Sequence, residues 1–333
     1  MNRRDTLKLV GGSALAGALG IPRRGAAAAE QTMVVIHKIA GIPWVNLMAQ
    51  GVKNGGHDFG IDASLIGPTT ADPALQAKLI QDVIAQKVDV LGLVPLDVNV
   101  CAPLLKQAHD AGMKVITLEG SAQVGRDWDV GMADPTIYGE TQMKRLAEGM
   151  GEKGEYVIIV GGLTTPLHKF WADAAVAYQE KHYPNMKQAT DRFGMGESTD
   201  ETQTAVLDIL KAHPKVNGFM IEASPGPIGA GNALRQLRDT KVTVVGSCTP
   251  GQARALIHAG YIRECVLWNP VDSGYAMVSV AKLMLDGTAF KNGPMDIPGV
   301  GEAVIDVPHK VIQLNKMIEV TKANVDGLVA KGL

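Results

Sequence analysis

Short apolar runs recur in this chain at a spacing that few architectures can absorb. KVDVLGLVP begins at Lys87 and KVITLEG begins 27 residues later at Lys114; KVNGFMIEA begins at Lys215 and KVTVVGSC begins 26 residues later at Lys241. Each pair brackets one helix-forming segment, 99–111 (NVCAPLLKQAHDA) and 227–239 (PIGAGNALRQLRD). A strand, a crossover helix and a second strand make a βαβ unit, whose two strands lie parallel in one sheet. The echo therefore predicts an α/β protein of two similar lobes, each wound around its own sheet.

The remaining pattern agrees. Strand candidates fall at 32–38, 61–67, 88–95, 114–119, 155–161, 216–222 and 241–247. They are continuous, largely β-branched runs, as expected of strands buried on both faces. Between them, Leu75, Leu79, Ile80, Val83 and Ile84 share one face of a helix. At about 150 residues per domain, 333 residues allow about two domains, and 46% hydrophobic content excludes disorder. Met132 to Thr136 (MADPT) reads as a first crossing between lobes. Trp268-Asn269-Pro270 reads as a second, because the strand CVLWN precedes a long helix, 272–286, placed to pack back on the first lobe.

Residues 1–29 read as an export signal. A charged start is followed by an apolar stretch from Leu9 to Ile21 and an Ala-rich site with A-x-A spacing before Glu30. Arg3-Arg4 followed by Leu7-Lys8 resembles a twin-arginine signal; an ordinary secretion signal containing two arginines is the alternative. Either route predicts a mature protein in a periplasm-like compartment. No later apolar run reaches the ~20 residues of a membrane span. Removing the signal leaves 27 basic against 33 acidic residues, a net charge of −6. A nucleic-acid partner, which needs a basic face, is not expected. Cys101, Cys248 and Cys265 show no C-x-x-C spacing and no zinc pattern. They read as small buried side chains, with one disulfide as the alternative.

Ligands of open parallel sheets bind beyond the carboxyl ends of the strands. Those ends point to Lys38, Leu96-Asp97, Glu119, Leu163 to His168, Glu222 to Ser224 and Ser247 to Thr249. Glu119 and Glu222 can accept hydrogen bonds from adjacent hydroxyls, Lys38 and His168 can donate, and Trp44 and Trp268 offer flat faces to a sugar ring. Trp44 opens the first helix and serves either the core or the ligand; Trp268 is either a hinge packing residue or a stacking face. Ser224 and Asn269 complete the candidate set. The chain has no Walker loop, no H-E-x-x-H, no G-x-S-x-G, and no G-x-G-x-x-G after a strand. No catalytic residue, metal or cofactor is therefore predicted. An acid/base role for Glu119 and Glu222 is the lesser reading beside two hydroxyl acceptors on opposite lobes.

Several motifs in order resemble one family. LIGPTTADP (65–73), the helix start Cys101-Ala102-Pro103-Leu104, KVITLEG, the Trp171 helix, VVGSCTPG (244–251), VLWNP (266–270) and DIPGVG (296–301) are similar to periplasmic solute-binding proteins of sugar ABC transporters. The likeness is to the ribose-binding type and, within it, the autoinducer-2 and rhamnose-binding branch. It implies a type I periplasmic binding protein fold: two Rossmann-like lobes with parallel sheets, joined by a three-crossing hinge and closing on a ligand for delivery to a permease. The third crossing would fall near DIPGVG, giving an N-terminal lobe of 30–134 and 270–297 and a C-terminal lobe of 135–269 and 298–333. Lys38 matches the lysine of the autoinducer-2 binders, and Glu119 stands where the branch has an aspartate. The branch's Asp-Gln pair is here Leu167-His168, and its Pro and Ala contacts are Glu222 and Ser224. The expected protein is a monomeric, non-enzymatic binder of a small neutral sugar or polyol; capture of autoinducer-2 and an exported oxidoreductase with a bound cofactor are the alternatives.

Overall fold

The computed structural model describes residues 31–333, so the export signal lies outside the described residues. In chain order the elements are β1 (Gln31–Ile36), α1 (Pro43–Phe59), β2 (Ile61–Ile66), α2 (Pro73–Gln86), β3 (Val90–Leu93), α3 (Val98–Asp110), β4 (Lys114–Leu118), β5 (Trp128–Gly131), α4 (Pro135–Met150), β6 (Gly154–Ile159), α5 (Pro166–His182) and β7 (Met186–Gln188). They continue with α6 (Thr199–Ala212), β8 (Val216–Ile221), α7 (Pro225–Leu237), β9 (Thr243–Gly246), α8 (Pro250–Ala259), β10 (Glu264–Leu267), α9 (Pro270–Leu285), β11 (Gly293–Ile297), β12 (Gly301–Asp306), β13 (Val311–Leu314), β14 (Ile318–Val320) and α10 (Val325–Ala330).

The repeat seen in the sequence is a repeat of topology. The first sheet contains the parallel order β2-β1-β3-β4-β5 and the second the order β7-β6-β8-β9-β10. The echoing segments are β3-α3-β4 and β8-α7-β9, equivalent positions in the two lobes. In each sheet the strand order reverses beside its first strand, and that switch point opens a crevice at the carboxyl ends. Central strands such as Val90–Leu93 and Thr243–Gly246 are buried throughout, as their unbroken apolar runs require. Seven helices begin on proline, among them α1, α5 and α9, whose fixed φ suits the first helical position. Each such start follows closely on a strand end, so helix N-termini gather at the mouth of the crevice.

Both sheets are mixed rather than wholly parallel. β11, β12 and β13 extend the first sheet through antiparallel pairings, with β13 parallel to β5, and β14 joins β10 antiparallel in the second. The extension moves one expected boundary. DIPGVG is not a crossing: it is the β11–β12 turn, with Ile297 paired to Gly301 and left-handed backbone at Gly299. Residues 301–314 belong to the first lobe, where Ala303, Ile305, Ile312 and Leu314 enter its core, and the third crossing lies at 315–317. The other two lie between β5 and α4 and between β10 and α9.

The second crossing returns α9 to the first lobe, along α1. The two helices approach through glycines: a Cβ on Gly51 would collide with the Val271 carbonyl oxygen, and one on Gly274 with the Met48 carbonyl oxygen. Cys248 and Cys265 form a disulfide between the end of β9 and β10, the alternative of the sequence reading, while Cys101 is free and buried. A methyl at the helix contact must push the backbones apart, so Gly51→Ala is expected to cost about 1–3 kcal/mol. Thermal denaturation of wild type and variant measures this; an unchanged melting temperature would mean that α9 is not held so closely.

Candidate functional site

The two lobes meet across the carboxyl ends of their strands. Lys38 follows β1, Trp44 opens α1 and Glu119 ends β4; facing them, His168 and Trp171 lie on α5, Ser224 follows β8, Ser247 follows β9 and Trp268 follows β10. These residues line one cavity of about 50 Å³, together with His37, Tyr138, Glu197 and Ala223. A larger space of about 470 Å³ adjoins it on the hinge side, sharing Glu119 and Trp268 and bordered by residues of all three crossings, Met132 to Asp134, Trp268 and Asn315.

Lys38 is the centre of the charged part. Its ammonium lies 2.9 Å from Glu119 within its own lobe, 3.5 Å from Glu197 and 3.2 Å from His168 Nε2 in the other. Burial alone would lower the Lys38 pKa, but the carboxylates of Glu119 and Glu197 outweigh it and hold the amine charged. The two histidines respond oppositely. Burial, then the charge of Lys38, brings His37 down to about 3 and pushes His168 well below its ordinary range, so both imidazoles are neutral.

The second lobe supplies the flat surfaces. Tyr138, Trp171 and Trp268 form a cluster with ring centroids 4.3–5.7 Å apart. His168 stacks on Trp171 at 5.3 Å and 18°, and Trp44 packs beside His37 from the first lobe. Behind Ser247, Glu222 is fully buried, its Oε2 accepting from Ser247 Oγ at 2.9 Å and Gln142 Nε2 at 3.2 Å. Burial raises Glu222 to about 7 against those two hydrogen bonds. Tyr138 donates to the Val266 carbonyl and meets Ser247 Oγ at 2.7 Å.

Six of the eight expected residues, Lys38, Trp44, Glu119, His168, Ser224 and Trp268, thus border the cavity, and Glu222 stands behind it. Asn269 does not. Its side chain caps α9, accepting from Val271 N at 2.9 Å and donating to Asp272 at 3.1 Å, because the residue preceding a helix-opening proline is a capping position. The sequence reading missed His37, Tyr138 and Glu197. Glu197 lies on the link after β7, a strand of three residues too short to show a periodicity, though the link's composition, Gly-Met-Gly-Glu-Ser, marks a constrained loop.

Two further observations bear on the cavity. Three buried polar atoms in or beside it, His37 Nε2, Glu222 Oε1 and Trp268 Nε1, have no hydrogen-bond partner among the described residues. Leaving such atoms unpaired costs about 1–3 kcal/mol each, which ordinary cores avoid. In addition, Glu119 (φ 59°) and Ala223 (φ 81°) adopt left-handed backbone at strand ends, outside any helix cap. Strain of this kind gathers where a ligand must be approached.

Residues 33–289 match the periplasmic binding protein domain family. The chain belongs to that family. It is a periplasmic solute-binding protein rather than an enzyme, which sets aside the oxidoreductase alternative. It is 22% identical to the xylitol-binding protein of Mycolicibacterium smegmatis, over 76% of this chain and 74% of the relative. Among solved structures, it superposes on an ABC transporter solute-binding protein from Clostridium phytofermentas with bound L-rhamnose, with a TM-score of 0.84 at 20% identity, covering 91% of this chain and 99% of that one. The LsrB protein of Clostridium saccharobutylicum in complex with AI-2 gives a TM-score of 0.82 at 20% identity, covering 89% and 99%. At such identities the superpositions establish the shared fold.

The buried Glu222 makes a pH-dependent signature. A carboxyl whose folded pKa lies near 7 and whose unfolded value is near 4.5 stabilises the fold while protonated. That contribution is lost as pH rises through the interval, by up to ~3 kcal/mol. Glu222→Gln keeps the shape of the protonated form, so it is expected to match wild type at pH 5 and to melt higher at pH 8. Asp129, raised to about 6 by burial, leaves a residual slope in both proteins. Equal pH profiles of melting temperature for the two proteins would show that Glu222 ionises freely.

Proposed function

We propose that this protein captures a small uncharged sugar or polyol between its lobes and delivers it to the permease of an ABC importer. The observation that carries the reading is the convergence, from both lobes, of unpaired buried polar atoms on a cavity walled by aromatic faces. Carboxylates accept from hydroxyls, Lys38, His168 and Ser224 donate, and the indoles cover the C–H face of a ring. Glu119 and Glu197 already surround the one ammonium, so an anionic ligand would meet like charge. The named ligands of relatives, xylitol and L-rhamnose, are of the same uncharged, polyhydroxylated kind.

The ribose-type ancestry argues for a monomer that closes about its hinge, the bound solute shifting the population toward the closed form. Within that type, kinship to the autoinducer-2 and rhamnose branch rests on Lys38 and on an acid at 119. Leu167, where the branch has an aspartate, favours a sugar over autoinducer-2. Lys38, Trp44, Glu119, His168, Glu222, Ser224 and Trp268 are the residues proposed to serve the ligand, now with His37, Tyr138 and Glu197, and without Asn269.

A thermal-shift screen over pentoses, deoxyhexoses, pentitols, tetritols and autoinducer-2 tests the proposal. A ligand at a hundredfold excess over its dissociation constant stabilises by ~2.7 kcal/mol, and the same ligand is expected to change tryptophan emission, since three of the four tryptophans line the cavity. Glu119→Ala is expected to weaken binding at least tenfold. A response to charged metabolites alone would sink the uncharged class.

A further inference from the structure

The contact between Lys38 and His168 holds more information than its distance. His168 Nδ1 lies 3.0 Å from the backbone N–H of Gly161, which can only donate, so Nδ1 carries a lone pair. In a neutral ring the proton is then on Nε2. That N–H faces the Lys38 ammonium, 3.2 Å away, which is also only a donor. The opposite tautomer would relieve Lys38 but set an Nδ1–H against the Gly161 amide, which is fixed in the backbone and cannot turn aside. Lys38, on a flexible stem, can.

We propose that Lys38 and His168 form a two-donor site for a single uncharged ligand oxygen, which enters between them and accepts a hydrogen bond from each. This rests on the capture function above and specifies its ligand further. Around the donor pair stand acceptors, the carboxylates of Glu119 and Glu197 beside Lys38. An oxygen that accepts twice, flanked by hydroxyls that donate, is the pattern of a vicinal diol or a hydroxy-carbonyl compound. A carboxylate oxygen would satisfy the donors but would face Glu119 and Glu197. Gly161 is a positioning residue: its amide fixes the ring, and the Trp171 face holds the ring's plane.

The test has two arms. In the free protein labelled with 15N-histidine, the His168 resonances, identified by their loss in His168→Gln, are expected to show a pyridine-like Nδ1 and a pyrrole-like Nε2. A pyridine-like Nε2 overturns the proposal whatever the ligand. In the second arm xylitol, L-rhamnose, D-ribose and D-gluconate are titrated against wild type, His168→Gln and His168→Phe. Phenylalanine keeps a ring to stack on Trp171 but has no N–H; glutamine restores a donor. Loss of at least tenfold in affinity for the responding sugar in His168→Phe, with smaller loss in His168→Gln, is expected. Equal affinity in all three proteins, or tighter binding of gluconate than of any sugar, overturns the donor pair while leaving a binding protein. No response to any probe in wild type counts against the capture function itself.

Discussion

A buried ammonium must be answered by nearby charge, and in this protein the answer comes from two bodies. Lys38 takes Glu119 from its own lobe and approaches Glu197 and His168 across the cleft. Desolvating a lysine without such partners costs several kcal/mol, so the residue ties the position of one lobe to that of the other. Its charge adds to burial in keeping His37 and His168 neutral, and it draws the two carboxylates to the centre of the cleft.

The aromatic cluster complements it. Tyr138, Trp171 and Trp268 belong to α4, α5 and the second crossing, so the surface offered to a ring's apolar face is built beside the hinge rather than at the rim. Movement at the crossing that carries Trp268 would alter both the cavity and the larger space next to it. Ligand contact and lobe geometry are therefore mechanically one matter, which is the condition for a population shift between open and closed forms.

Much of this was readable in the residues. The Lys87/Lys114 and Lys215/Lys241 echoes are the β3-α3-β4 and β8-α7-β9 units because buried parallel strands demand unbroken apolar runs, and those runs are visible without a partner. Rules about strand ends then located Lys38, Glu119, His168 and Ser224. What escaped depended on neighbours distant in sequence. DIPGVG resembles a linker by composition, and only the pairing of Ile297 with Gly301 makes it a hairpin turn. Asn269 has a side chain suited to a sugar, but the proline after it commits it to a cap. Glu197 is brought in by a loop following a minimal strand, and the Cys248–Cys265 bond joins residues 17 apart with no local motif.

The return of α9 and β11 to β13 to the first sheet has a consequence for the order of assembly. During synthesis, residues 31–131 emerge before the rest of the two lobes, yet the lobe they begin lacks the helix that covers α1 and the strand that pairs with β5 until residue 314 is available. The second lobe, by contrast, has five of its six strands in one uninterrupted stretch from β6 to β10. The half of the protein that is made first is thus the half with an open sheet edge and an uncovered helix face for longest, and both are surfaces on which a nascent chain aggregates. Until residue 314 is made, the later lobe stands nearly whole while the earlier lobe still waits for its last strands.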